Sequence, residues 1–161
     1  MKFNSSLFAV ALLAGASVAA TAAEKAASPT QVERGRYLVR VSGCNDCHTP
    51  GYIQSNGQID EKVWLTGDAL GWKGPWGTTY ATNLRVLLNG MSEQQWLTHA
   101  RTMQPRPPMP WFNVRAMNDD DLKAIYAFVK TLGPAGSAAP AYVPPGKDVA
   151  GPAVVFSMGS N

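Results

Sequence analysis

Hydrophobic and polar positions change rhythm several times along this chain. Leu7 to Ala20 is almost continuously apolar, with Lys2 before it and Ala20-Thr21-Ala22-Ala23 after it. A positive start, an apolar run too short to span a bilayer comfortably and a small-residue site predict an export leader over residues 1–23, cleaved after Ala22 or Ala23, in preference to a retained anchor. From Gln31 to Val41 the apolar residues Val32, Tyr37, Leu38 and Val41 fall between charges in a rough helical stripe, which Gly43 interrupts. Thr49 to Gly90 holds no sustained period and is rich in glycine, with Trp64, Trp72 and Trp76 among them. The expectation there is a long irregular segment with short helical turns at Asp60 to Leu65 and Leu84 to Leu88. Loops of that length need something to organise them, and a large apolar object would serve.

Two helix starts are written in capping residues. Ser92 and Gln95 form a capping box, with Met91 and Trp96 placed as a hydrophobic staple, so a helix is expected from Glu93 to about Arg101. Asn118 precedes Asp119, Asp120 and Asp121, three acids suited to a helix N-terminus, and Met117 is placed to staple onto Leu122. The helix that follows, Asp119 to Leu132, carries one broad apolar stripe and stops at Gly133-Pro134. Beyond it the chain turns to Pro, Ala and Gly, which predicts an extended tail over residues 135–161, laid on the surface and ordered only in part.

Taking away residues 1–23 leaves 138 of the 161 residues, enough for one domain, expected over residues 24–134. The remaining 13 basic and 11 acidic side chains give a net charge of +2, scattered along the chain. Such a balance gives no footprint for nucleic acid or an anionic membrane, and no stable membrane insertion is expected once the leader is gone.

The chemistry is concentrated in one place. The chain's two cysteines lie in Cys44-Asn45-Asp46-Cys47-His48. C-x-x-C-H is the pattern of covalent haem attachment, in which two thiols take the two vinyl groups of one porphyrin and the adjacent imidazole meets the iron. A thioredoxin-like dithiol needs a βαβ context that this chain lacks. A structural zinc site needs four ligands, and beyond the cluster only His99 remains. A plain disulfide gives no reason for His48 or for the loop-rich, tryptophan-rich middle.

A second axial ligand must come from elsewhere: Met91, Met103, Met109, Met117 and His99 are the candidates. Met91 and Met117 have staple roles, Met103 follows a helix with nothing to aim it, and His99 reads as a solvent-facing helix residue. Met109 differs in lying in Pro105-Arg106-Pro107-Pro108-Met109-Pro110, where four prolines stiffen the backbone around one thioether.

The stretches Glu33 to Leu38, Gly43 to Pro50, Met109-Pro110-Trp111 and Asp119 to Leu132 together resemble the class I c-type cytochromes, in particular small proteobacterial ones related to cytochrome subunits of periplasmic dehydrogenases. The resemblance covers about residues 31–134. It implies an all-α fold with long loops around one haem c. The first and last helices would cross closely, with Gly35 and Tyr37 facing Tyr126 and Phe128. It also implies Cys44 and Cys47 as the covalent attachment, and His48 and Met109 as the proximal and distal iron ligands. Trp76, Tyr80, Asn83 and Arg85 are donors in the region where propionates would lie, although the chain departs from relatives after Asn83-Leu84. The function implied is electron transfer in the periplasm, with a dehydrogenase as donor and an oxidase or reductase as acceptor. The rival functions are a haem enzyme or gas sensor with a labile distal ligand, and a structural module closed by one disulfide.

Overall fold

In the computed structural model, residues 27–157 are described, so the expected leader lies outside the described residues. Helix α1 spans Pro29–Val41, with the Ser28 side chain accepting from the Gln31 N–H at its start. Helix α2 is the five-residue turn Cys44–His48. After a 3₁₀ turn at Glu61–Val63 come α3 (Leu84–Asn89), α4 (Glu93–Thr102), α5 (Trp111–Ala116) and α6 (Asp119–Leu132). The two predicted caps are in place: Ser92 and Gln95 close the reciprocal box on α4, and Asn118 accepts from the Asp121 N–H on α6. Among the described residues no helix is long and apolar enough to cross a membrane.

The core forms where α1 and α6 cross. Leu122, Phe128 and Val129 are fully buried, and Val39 meets them from α1. Gly35 makes the crossing close, because a Cβ built there would lie 1.9 Å from the Ala124 carbonyl oxygen and 2.8 Å from the Phe128 Cβ. Tyr37, expected at the same crossing, is 56% exposed and lies under the Arg34 guanidinium. Two residues along a helix is a rotation of about 200°, so its ring is carried away from the contact that Gly35 makes, to the solvent side. Replacing Gly35 with Ala is expected to destabilise the protein by about 2–3 kcal/mol, since backbone and not a flexible side chain must yield. Chemical denaturation measures this, and an unchanged midpoint would show that the helices part freely.

The long middle segment is irregular as expected, but it also contains a feature that the helical reading omits. Strands β1 (Gly71–Gly74) and β2 (Gly77–Tyr80) form an antiparallel hairpin, and β3 (Ala153–Val155) joins β1 in parallel, giving the order β2-β1-β3. The fold is thus mainly helical with one small sheet, whose third strand comes from the tail. The tail is seated by more than the sheet: Phe156 packs on the rings of Trp72 and Trp76 at centroid distances of 6.1 and 5.5 Å. Four-residue strands rich in glycine carry too little alternation to be read from pattern alone.

Arg85 ties the helical part together. Only 5% exposed, it donates to the carbonyls of Lys62, Leu132 and Gly133, two of which lie at the C-terminal end of α6. A cation at that end satisfies unpaired carbonyls and complements the helix dipole. Asn83 is committed too, capping α3 through its carbonyl and donating to Ala135 and Ser137. These two residues, donors in the region where propionates would lie, thus make structural bonds in the fold. Trp76 donates its indole N–H to the Trp72 carbonyl at 3.3 Å, while Tyr80 does line the cavity described next.

Candidate functional site

The site begins at the end of α1. Gly43 adopts a left-handed conformation, φ 71°, which turns the chain sharply into α2. Within that single helical turn Cys44, Cys47 and His48 stand at i, i+3 and i+4, so they share one face. Behind them the fully buried Asn45 accepts from the Thr49 hydroxyl at 2.8 Å, and that hydroxyl accepts from the Leu65 N–H at 2.8 Å. The turn is therefore fixed from its back, leaving the two thiols and the ring to the front.

In front lies a cavity of about 1000 Å³. Cys44, Cys47 and His48 line it together with Met109, which comes from the loop between α4 and α5. Its walls are largely apolar, with Leu65, Leu84, Leu87, Leu88, Ile125 and Val129 among them. That volume is at the upper end of what small-molecule and cofactor pockets hold.

His48 is 8% exposed, and its Nδ1 lies 2.7 Å from the Thr82 carbonyl oxygen. A carbonyl only accepts, so Nδ1 carries the proton and Nε2 keeps its lone pair. Burial pushes the imidazole below its ordinary pKa, against a smaller opposing effect of the Thr82 bond, and so favours the neutral ring that a metal requires. Burial raises both thiols, Cys44 to about 11, with the carboxylate of Asp46 adding to the effect in each case. Both cysteines are free thiols, the state from which thioethers are formed.

The donor set and the crevice suit a haem. Two thiols and a neutral imidazole share one face of a turn, a thioether lines the same cavity, and the walls are apolar. Trp72 is another residue of the cavity wall, and its indole N–H is buried without a partner. Trp72 was not singled out by sequence, where it is one tryptophan among three in a patternless segment, and nothing in the sequence marks Thr82 as the partner of His48.

The other distal candidates are not separated by position alone. Met103 and Met117 line the cavity as well, and so does His99, which is half-buried with its ring 6.3 Å from that of Trp96 rather than turned to solvent. Trp96 and Ala100 are the buried residues of α4, and His99 sits next to Ala100 at the edge of that buried face. A helical stripe read without its neighbours places such an edge residue on the wrong side.

Known proteins bear on this geometry. The cytochrome c family model matches residues 32–133. The chain is similar to a nicotinate dehydrogenase subunit from Pseudomonas putida, with 27% identity over 124 residues, 71% of this chain and 10% of the relative. It is also similar to the fructose dehydrogenase cytochrome subunit of Gluconobacter japonicus, with 31% identity over 135 residues, 76% of this chain and 26% of the relative. The chain thus spans about a tenth and about a quarter of the curated relatives it matches. No solved structure matches it. With a C-x-x-C-H turn opening on an apolar crevice, and a family match over most of the described residues, the chain belongs to the cytochrome c family of haem-binding electron carriers.

Proposed function

We propose that this chain is a periplasmic carrier holding one haem c through Cys44 and Cys47, with His48 and Met109 as axial iron ligands, taking electrons from a dehydrogenase and passing them to an oxidase or reductase. The observation that carries the reading is the orientation of His48: its Nδ1–H is fixed on the Thr82 carbonyl beside two thiols, in a cavity that Met109 also lines. When bound, the haem supplies a reversible one-electron couple. The chain's own residues do the rest. Cys44 and Cys47 tether the group, Thr82 holds the His48 tautomer, and a thioether from Met109 favours ferrous over ferric iron. The apolar walls act in the same direction, since a low-dielectric surrounding disfavours the extra ferric charge. Export is supported by the leader-like residues 1–23, and a dehydrogenase partner by the likeness to two dehydrogenase subunits.

A haem enzyme or gas-binding protein is the second reading, and the observation that favours it is that His99 and Arg106 line the cavity. One set of measurements on protein from a periplasmic fraction separates the two. The carrier is expected to start at Ala23 or Glu24, to have the mass of one covalent haem per chain, to exchange electrons rapidly with small mediators and to turn over no peroxide. Slow mediator exchange together with peroxide turnover would establish the enzyme reading instead.

A further inference from the structure

The loop carrying Met109 has an unusual need. Pro105, Pro107, Pro108 and Pro110 lack backbone N–H groups, so within residues 105–110 only Arg106 and Met109 have an N–H with which the loop can bond to itself or to its neighbours. Its position has to be imposed largely through its carbonyls and side chains. The Met109 and Pro110 carbonyls accept locally from the N–H groups of Trp111 and Asn113, and two contacts reach the loop from elsewhere in the fold. The Thr79 hydroxyl of β2 donates to the Pro107 carbonyl at 2.8 Å. The Arg106 guanidinium lies 3.8 Å from the centroid of the Tyr142 ring.

Tyr142 belongs to the tail, beyond the residues matched by the cytochrome c family. It is itself held firmly. Its hydroxyl donates to the Trp76 carbonyl at 2.8 Å, and the adjacent Val143 exchanges two backbone hydrogen bonds with Thr78, of 2.8 and 3.0 Å. Upstream, Asn83 fixes the carbonyls of Ala135 and Ser137; downstream, β3 pairs with β1. Tyr142 also lines the same cavity as His48 and Met109. The tail therefore runs as a strap from the end of α6 across the hairpin, and its one aromatic ring in that crossing meets the loop three residues before Met109.

We propose that Tyr142 is a positioning residue for Met109, holding the proline-rich loop at the crevice through Arg106. The proposal rests on Met109 being the distal ligand, and the test keeps the two apart. In haem-loaded protein, Tyr142→Ala is expected to keep covalent haem but weaken the near-infrared Met–iron band of the ferric form. Carbon monoxide binding to the ferrous form should quicken about fivefold, the scale of one partly desolvated cation–π contact. Tyr142→Phe, which keeps the ring under Arg106, should restore most of both. Added to Met109→Ala, the Tyr142→Ala change should have no further effect on carbon monoxide binding.

If Tyr142→Ala does not accumulate, Arg106→Gln breaks the same contact from the loop side and is read in the same way. An intact band in either variant, or a fivefold gain that persists in the Met109→Ala background, overturns the proposal. A band that survives Met109→Ala overturns the ligand assignment itself, whatever Tyr142 does.

Discussion

A chain in which Cys44 and Cys47 are both replaced by Ser is expected to lose covalent haem and, with it, most of its folded structure. The reason lies in the crevice. Its cavity measures about 1000 Å³ and is walled by side chains from α1, α3, α4 and α6. Without the haem those apolar walls would face water, at a cost of about 25 cal/mol per Å² of apolar surface left unburied. The whole net stability of a domain is only about 5–15 kcal/mol. The segment from Thr49 to Gly90 would lose the surface it packs on, and α4 would keep only its attachments to the chain around α5 and α6, where the Trp96 indole N–H donates to the Leu122 carbonyl at 2.9 Å and Arg101 donates to the carbonyls of Arg115 and Met117 and to the Asp119 carboxylate. Far-ultraviolet circular dichroism and haem staining after denaturation measure the two losses. A haem-free variant with undiminished helical signal and a sharp thermal transition would sink this account of stability.

Met109→Ala is expected to leave covalent haem intact, because the two thiols and His48 are fixed independently on α2. What should change is the iron. The potential should fall by on the order of 0.1–0.3 V, part of the roughly 0.8 V over which axial ligands set haem potentials, and the ferrous form should bind carbon monoxide readily. Met103, Met117 and His99 line the same cavity, so each supplies its own control. Redox titration with carbon monoxide binding on the four alanine variants decides among them, and the assignment is wrong if Met103→Ala, Met117→Ala or His99→Ala has this effect and Met109→Ala does not.

The stripe of α1 and the short turn of α3 are legible in the sequence, but the helices whose starts can be read to the residue are those whose ends carry their own chemistry. Ser92 with Gln95, and Asn118 with three following acids, specify a start through bonds that span only three residues, and both helices begin where those residues place them. Helix α5 has no such signature: its N-cap is Pro110, which offers no side-chain bond, and it runs only six residues from Trp111. The sheet was equally hidden, since β3 pairs with a strand some eighty residues earlier and the partners share no local pattern. Asn83 and Arg85 looked like donors for a bound group because their type was visible and their partners were not. Those partners are carbonyls of Lys62 and of residues 132–137, brought together only by folding.

By itself, then, the sequence determined the attachment turn and the family, because C-x-x-C-H, the caps and the stripe of α6 are all relations between residues at most one or two helical turns apart. Tertiary structure alone decided which carbonyl orients His48, that Arg85 closes the end of α6, that the Trp72 indole N–H is left buried without a partner, and that Tyr142 reaches the loop before Met109. Each of those contacts joins residues more than thirty positions apart or depends on the enclosure that such contacts create. Spacing along a helix or strand carries no information about them, because their geometry exists only once the packed helices and the strap have closed the crevice.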